Sequence, residues 1–248
     1  MKLPQLIFLI LVILLSIDLE NGLSKNNSKW ITPLKRQCIY SKRSPLKRRL
    51  LALKRDLPKR INQVSIHPSN YASRSLKGIN GEPLISDPSL IVIHESVYGV
   101  NSVFNTFRTF HSNDNDQVSY HILISENGGI YQTVPSLKRA FGAGNSSFNG
   151  QSIITKRGLA ASVNNFALHV SLETPIDGED NENSHSGYTP EQYDALAIII
   201  DNWMEEFEIP SDRITTHKFV DLSESRLCPR SFSWQEIQLR LAALGKLC

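Results

Sequence analysis

An α/β fold with a mixed central sheet flanked by helices is predicted by three features of this sequence. Short β-branched apolar runs, such as Ser89–Ser96 and Asn165–Pro175, alternate with helical patterns along the chain. The turn Asn127-Gly128-Gly129 lies between two apolar runs, a hairpin signal and hence at least one antiparallel pair. A capped amphipathic stretch from Thr189 to Phe207 supplies a long helix to cover one face. With 40% hydrophobic and 21% charged residues among 248, the chain has the balance of a globular protein that can bury a core.

Taken in order, the chain begins with Lys2 and an apolar run from Leu6 to Ile17, a basic n-region followed by an h-region. This is the pattern of an export signal, and the run is shorter than the ~20 apolar residues that span a bilayer. No small-x-small cleavage site follows, so residues 1–24 are expected to act as a signal peptide or an uncleaved signal-anchor. The expected location is therefore the periplasm or cell envelope, with membrane attachment through the N-terminus left open. From Lys25 to about Arg60 the chain is basic and holds one acid, Asp56. Within this expected linker, residues 25–63, the leucines Leu46, Leu50, Leu51, Leu53 and Leu57 fall at roughly helical spacing. Such a helix would dock on anionic lipid or an acidic wall polymer. The composition favours the plainer reading, a solvated tether. An exported chain is a poor partner for nucleic acid.

The folded domain is expected over residues 64–248. Ser89–Ser96 reads as a buried strand behind Asp87-Pro88. Asn101–Ser112 places Val103, Phe104, Phe107 and Phe110 on one helical face. Val118–Val134 makes the hairpin, and Asn165–Pro175 a further strand. Thr189, Pro190 and Gln192 form a capping box with a proline start, which makes the helix after them the most secure in the chain. Arg213–His217 reads as a short strand and Phe232–Leu244 as a closing helix. Trp203 and Trp234 fall on these helices and are expected to pack the core.

Chemistry enters through His94 and His217, each ending a strand, and Cys228 in the loop beyond. Imidazole and thiolate are preferred zinc ligands, and three protein ligands leave the open position of a catalytic site. The spacing is not that of a zinc finger, so residue type alone is a weak signal. A competing reading makes Cys228 a nucleophile with His217 as its base; such an enzyme would keep its activity in a chelator. Cys38 and Cys248 either pair as a disulfide or remain thiols. His67, His111, His169 and His185 read as structural or surface residues, His185 lying in a polar loop. Phe141, between glycines, is a candidate for a groove wall.

The ordered motifs VIHES, VSYHILISENGGIYQTVP, RAFGAG, NNFALHVSLE and THKFVDLSESRLCPRSFSW resemble the zinc-dependent N-acetylmuramoyl-L-alanine amidases. That family includes phage lysozyme-type amidases, bacterial cell-wall amidases and animal peptidoglycan recognition proteins. The match runs from about Leu90 to the last helix. Each motif is weak alone; their order is specific.

The resemblance implies the peptidoglycan recognition protein and phage amidase fold. It also implies a Zn2+ ion on His94, His217 and Cys228, the last preceding Pro229 where the family has Cys or Asp. It carries the family's basic residue two positions earlier onto Arg226, and the tyrosine beside the metal-activated water onto Tyr120. His121 is then structural, on the other face of its strand. The implied reaction is hydrolysis of the amide between N-acetylmuramic acid and L-alanine, in peptidoglycan or in released muropeptides. The alternative is a wall-binding protein of the same fold without catalysis; the presence of Cys228 favours the enzyme. The chain departs from the pattern twice. Ser171 stands where some bacterial relatives have a catalytic Glu, which makes Glu173, two residues on and on the same face, the candidate general base. Ala140-Phe141-Gly142-Ala143-Gly144 replaces Ala-Trp-His-Ala-Gly, with Gly142 at the His position.

Overall fold

The run Leu90-Ile-Val-Ile-His-Glu-Ser is buried at every position, which requires a strand covered on both faces. In the computed structural model, which describes residues 29–38, 44–180 and 182–248, this run is β3 (Leu90–Ser96), near one edge of a six-stranded sheet. The other strands are β1 (Ile61–Gln63), β4 (Ile122–Ile124), β5 (Ile130–Gln132), β7 (Ala167–Glu173) and β8 (Ile214–Thr216), in the order β1-β5-β4-β7-β3-β8. Only the β4–β5 hairpin is antiparallel, which makes the sheet mixed as predicted. Its turn holds Gly128 at φ +75°, a conformation that favours glycine. A small antiparallel pair, β2 (Tyr71–Ser73) with β6 (Lys138–Ala140), lies apart from the main sheet.

Alternation along the strands gives the sheet two unlike faces. Ile91, Ile93, Leu168, Val170, Leu172, Ile122, Ile124 and Ile214 belong to one buried cluster. The same cluster holds residues of α1 (Pro45–Arg55), α3 (Pro190–Glu206) and α4 (Trp234–Leu244). The opposite face carries His94, His169, Ser171 and Leu123, with Leu123 packed on Phe104 and Phe107 of α2 (Val100–Arg108). One face is thus an oily seam, and the other is free to hold chemistry.

The capping box at the start of α3 forms, and its side chains reach further than the helix end. Thr189 Oγ1 donates to the Glu126 carbonyl at 2.6 Å, and Gln192 Nε2 donates to the Glu173 carbonyl at 2.8 Å. The cap therefore ties the hairpin turn and the end of β7 to the main helix.

The basic segment differs from a solvated tether. The compact unit runs from Ile31 to Cys248, β1 pairs with β5, and Leu50 on α1 is fully buried beside Leu57 in the core. Burying the leucine side of an amphipathic basic helix removes the apolar face that would enter a lipid surface. Among the described residues, no helix is long and apolar enough to cross a membrane. The export segment expected at residues 1–24 lies outside the described residues. The first helix after β3 is also shorter than predicted, ending at Arg108, and Phe110 is 63% exposed rather than part of its packed face. Cys38 and Cys248 are both free thiols, and the Cys248 thiol is hydrogen-bonded to Cys38.

Candidate metal centre and its groove

Parallel pairing puts His94 opposite Ser171 on β7, while Ile93 pairs with Thr216, the last residue of β8. His217 follows that strand and opens a short helical turn, His217–Val220, rather than ending the strand as expected. The result is that His94 and His217 stand side by side at one end of the sheet, their ring centroids 4.6 Å apart. Cys228 arrives from the following loop, with Sγ 4.0 Å from His94 Nδ1 and 3.5 Å from His217 Nδ1. One ligand atom from each of the three lies within 4.8 Å of the others. Tetrahedral zinc with bonds of about 2.0–2.3 Å sets its ligand atoms roughly 3.3–3.8 Å apart. The three residues fit such an ion with a small contraction.

The loop that carries Cys228 is fastened from several sides. The backbone N–H of Glu95 donates to Cys228 Sγ at 3.4 Å, and the Lys218 N–H donates to the Cys228 carbonyl at 2.9 Å. Burial and the neighbouring imidazole of His217 hold His94 well below the usual histidine range. Burial, with the Arg226 guanidinium, lowers His217 to about 4. Both rings are therefore neutral near pH 7, the form that binds a metal. Burial pushes the Cys228 thiol up to about 12, so it keeps its proton until a cation replaces it.

Of the other predicted site residues, two stand at this cluster. Tyr120 stacks its ring 4.7 Å from that of His94, and burial and the nearby Cys228 raise its phenol above the ordinary value. Arg226 is exposed at the mouth of a groove of about 760 Å³ that Tyr120, His217 and Cys228 also line. Phe141 is on the groove wall, with the Arg139 guanidinium 5.3 Å above its ring.

Glu173 is not brought to the cluster. Its Oε1 accepts from the Val100 N–H at 2.7 Å, at the start of α2, and its Oε2 accepts from the Glu126 N–H at 2.8 Å. The face assignment holds, but β7 runs one residue pair past the ligands, and the carboxylate is consumed by two backbone donors. Glu173 is thus a helix and hairpin anchor rather than a base beside the metal ligands. His121 is structural as expected. Its Nδ1 accepts from the His169 N–H at 2.9 Å, and burial lowers it to about 3.

A second buried group went unread in the sequence. Glu95 accepts from Arg230 Nε at 2.8 Å, the Tyr188 hydroxyl at 3.0 Å and His185 Nε2 at 3.2 Å. His185, expected in an exposed polar loop, has a fully buried side chain. Arg230 also donates to the carbonyls of Gly178 and Glu182 at 2.6 and 2.7 Å. The signal for this cluster was a charged residue inside an otherwise apolar buried run, which demands a partner. Nothing in the sequence named that partner.

A family model described as N-acetylmuramoyl-L-alanine amidase matches residues 85–231, more than half of the chain. No curated protein matches the sequence significantly. Among solved structures, a selenomethionine derivative of AmpD is 24% identical and covers 73% of this chain and 94% of its own, with a TM-score of 0.53. The N-acetylmuramyl-L-alanine amidase AmiD from E. coli, complexed with the substrate anhydro-N-acetylmuramic acid-L-Ala-D-γ-Glu-L-Lys, is 21% identical. It covers 62% of this chain and 57% of its own, with a TM-score of 0.50. At these identities the two structures establish a shared fold.

Proposed function

The chain belongs to the N-acetylmuramoyl-L-alanine amidase family, and from that premise we propose that His94, His217 and Cys228 hold the zinc ion for its hydrolysis of peptidoglycan. The observation that carries this reading is the convergence of three ligand atoms, from two strand ends and a loop, within 4.8 Å. Bound zinc supplies Lewis acidity, which polarises the scissile carbonyl and activates water. The scissile bond is the amide joining the lactyl group of N-acetylmuramic acid to L-alanine.

Around the ion, the chain's own groups divide the work. Arg226 carries a permanent charge at the groove mouth near His217, suited to pairing with negative charge that develops on the carbonyl oxygen. Tyr120 keeps its phenolic proton and is suited to orienting water by hydrogen bonding. The AmiD complex holds a muropeptide, and a groove of about 760 Å³ beside Tyr120 suits a ligand of that class. Export to the envelope, where this substrate resides, is supported by Lys2 and the apolar run Leu6–Ile17.

Mass spectrometry of products from purified peptidoglycan tests the reaction. Free stem peptides beginning with L-alanine, and glycans with unsubstituted lactyl groups, are expected. Products that keep the muramoyl–alanine bond while another bond is cut would exclude it.

The ligand chemistry has its own measurable signature. Cys228 is a protonated thiol at neutral pH because burial raises it to about 12, while both histidines are already neutral. Zinc must therefore displace about one proton, and its affinity falls about tenfold for each unit of pH lowered below neutrality. Calorimetric titration of zinc in buffers of different ionisation heat reads this number directly. A value of zero would remove Cys228 from the ligand set.

A further inference from the structure

We propose that His169 is a positioning residue for the metal centre: its Nδ1 accepts a hydrogen bond from Nε2–H of His94 and so turns the lone pair of His94 Nδ1 toward Cys228 and His217. The inference rests on the reading of those three residues as a zinc site.

The geometry is specific. His94 Nε2 and His169 Nδ1 lie 2.9 Å apart, and both residues are fully buried. Two neutral imidazoles at that distance share one proton, so one nitrogen donates and the other accepts. His94 Nδ1 faces Cys228 Sγ at 4.0 Å, and as a ligand it must be unprotonated. The proton of His94 is then on Nε2, and His169 Nδ1 is the acceptor. A metal-bound histidine oriented through its far nitrogen is a common arrangement, in which the outer partner sets tautomer and ring angle.

The placement of His169 is itself over-determined. Its backbone N–H donates to His121 Nδ1 at 2.9 Å, its carbonyl accepts from the His121 N–H at 2.9 Å, and its ring stacks on that of His121 at 5.8 Å. Above it lies Gly142. A Cβ on Gly142 would fall 2.5 Å from both Cγ and Nδ1 of His169. Gly142 has no left-handed φ, so glycine is needed there for space alone. With Nδ1 accepting, His169 Nε2 carries the proton, and that buried atom has no partner among the described residues. An unpaired buried donor costs roughly 1–3 kcal/mol. A side chain chosen for packing alone would avoid it, whereas one chosen for its acceptor nitrogen must bear it.

Two measurements decide the matter. In zinc-free wild-type protein, 15N NMR should find His94 protonated at Nε2, with coupling across the hydrogen bond to His169 Nδ1. A His94 proton on Nδ1 would overturn the proposal. Zinc affinity, read by competition with a chromogenic chelator, should weaken about 10–100-fold in His169→Leu. His169→Asn, which puts an amide oxygen where Nδ1 stood, should remain within a few-fold of wild type. Gly142→Ala should lose affinity alone and add little in the His169→Leu background. Wild-type affinity in folded His169→Leu would also overturn the assignment. Should His169→Leu fail to fold, the wild-type NMR result stands alone as the test. A wild-type protein that binds no zinc would refute the metal reading itself, and the tautomer of His94 would still decide the role of His169.

Discussion

Cys228→Ala is expected to abolish zinc binding near neutral pH and to lower peptidoglycan hydrolysis by at least about a thousandfold, because metal activation contributes several kcal/mol to such reactions. The variant leaves two neutral imidazoles and no anionic ligand, so the site loses both a donor and the charge that balances the ion. The fold should survive. Cys228 is only half-buried, and the Lys218 N–H bonds its carbonyl rather than its sulfur. Thermal melts of zinc-free wild type and variant should therefore nearly coincide, which separates loss of metal from loss of structure. Cys228→Asp restores an anionic ligand and should recover part of both binding and activity. Full activity of Cys228→Ala in a chelator would refute the zinc mechanism. Activity of the wild type in a chelator would instead favour the nucleophilic-cysteine alternative.

The second large effect concerns stability. Arg230→Met should destabilise the protein by about 3–5 kcal/mol, since removing one partner leaves Glu95 as an uncompensated buried charge. Arg230 and Glu95 are 8% and 6% exposed, and their contact at 2.8 Å is accompanied by Arg230 bonds to two loop carbonyls. For a chain of this size each kcal/mol corresponds to roughly 2–4 °C in Tm, so a fall on the order of 6–20 °C is expected. The melts belong in chelator, because bound metal would add its own stabilisation to the native state. Adding Glu95→Gln to Arg230→Met should return much of the loss by removing the stranded charge. A single variant that melts with the wild type would show that the pair contributes little. Because Glu95 follows His94 and Arg230 lies two residues past Cys228, zinc affinity should also weaken in Arg230→Met.

Several parts of the architecture were readable before any coordinates. The Asn127-Gly128-Gly129 hairpin forms because glycine at position 128 adopts φ +75°, a local requirement. The Thr189–Gln192 cap forms because both side chains bond backbone within one turn. The start of the domain was set too late, at residue 64, because a run of lysines and arginines masks Leu50 and Leu57, whose burial depends on α3 and α4 far along the chain. Glu173 was assigned to the correct face of β7 but the wrong height, since alternation gives a side and not a neighbour.

Sequence alone determined the strands, the main helices and the identity of the three ligand candidates, because local patterning and the order of motifs carry that information. Tertiary structure alone decided what surrounds those ligands. It withdrew Glu173 to two backbone donors, joined Glu95 to Arg230 across 135 positions, and brought His169 against His94 across 75. These outcomes depend on which atoms meet at about 3 Å after the sheet has closed. No periodicity in the chain records that distance. It arises from register, from loop placement, and from the missing Cβ of Gly142.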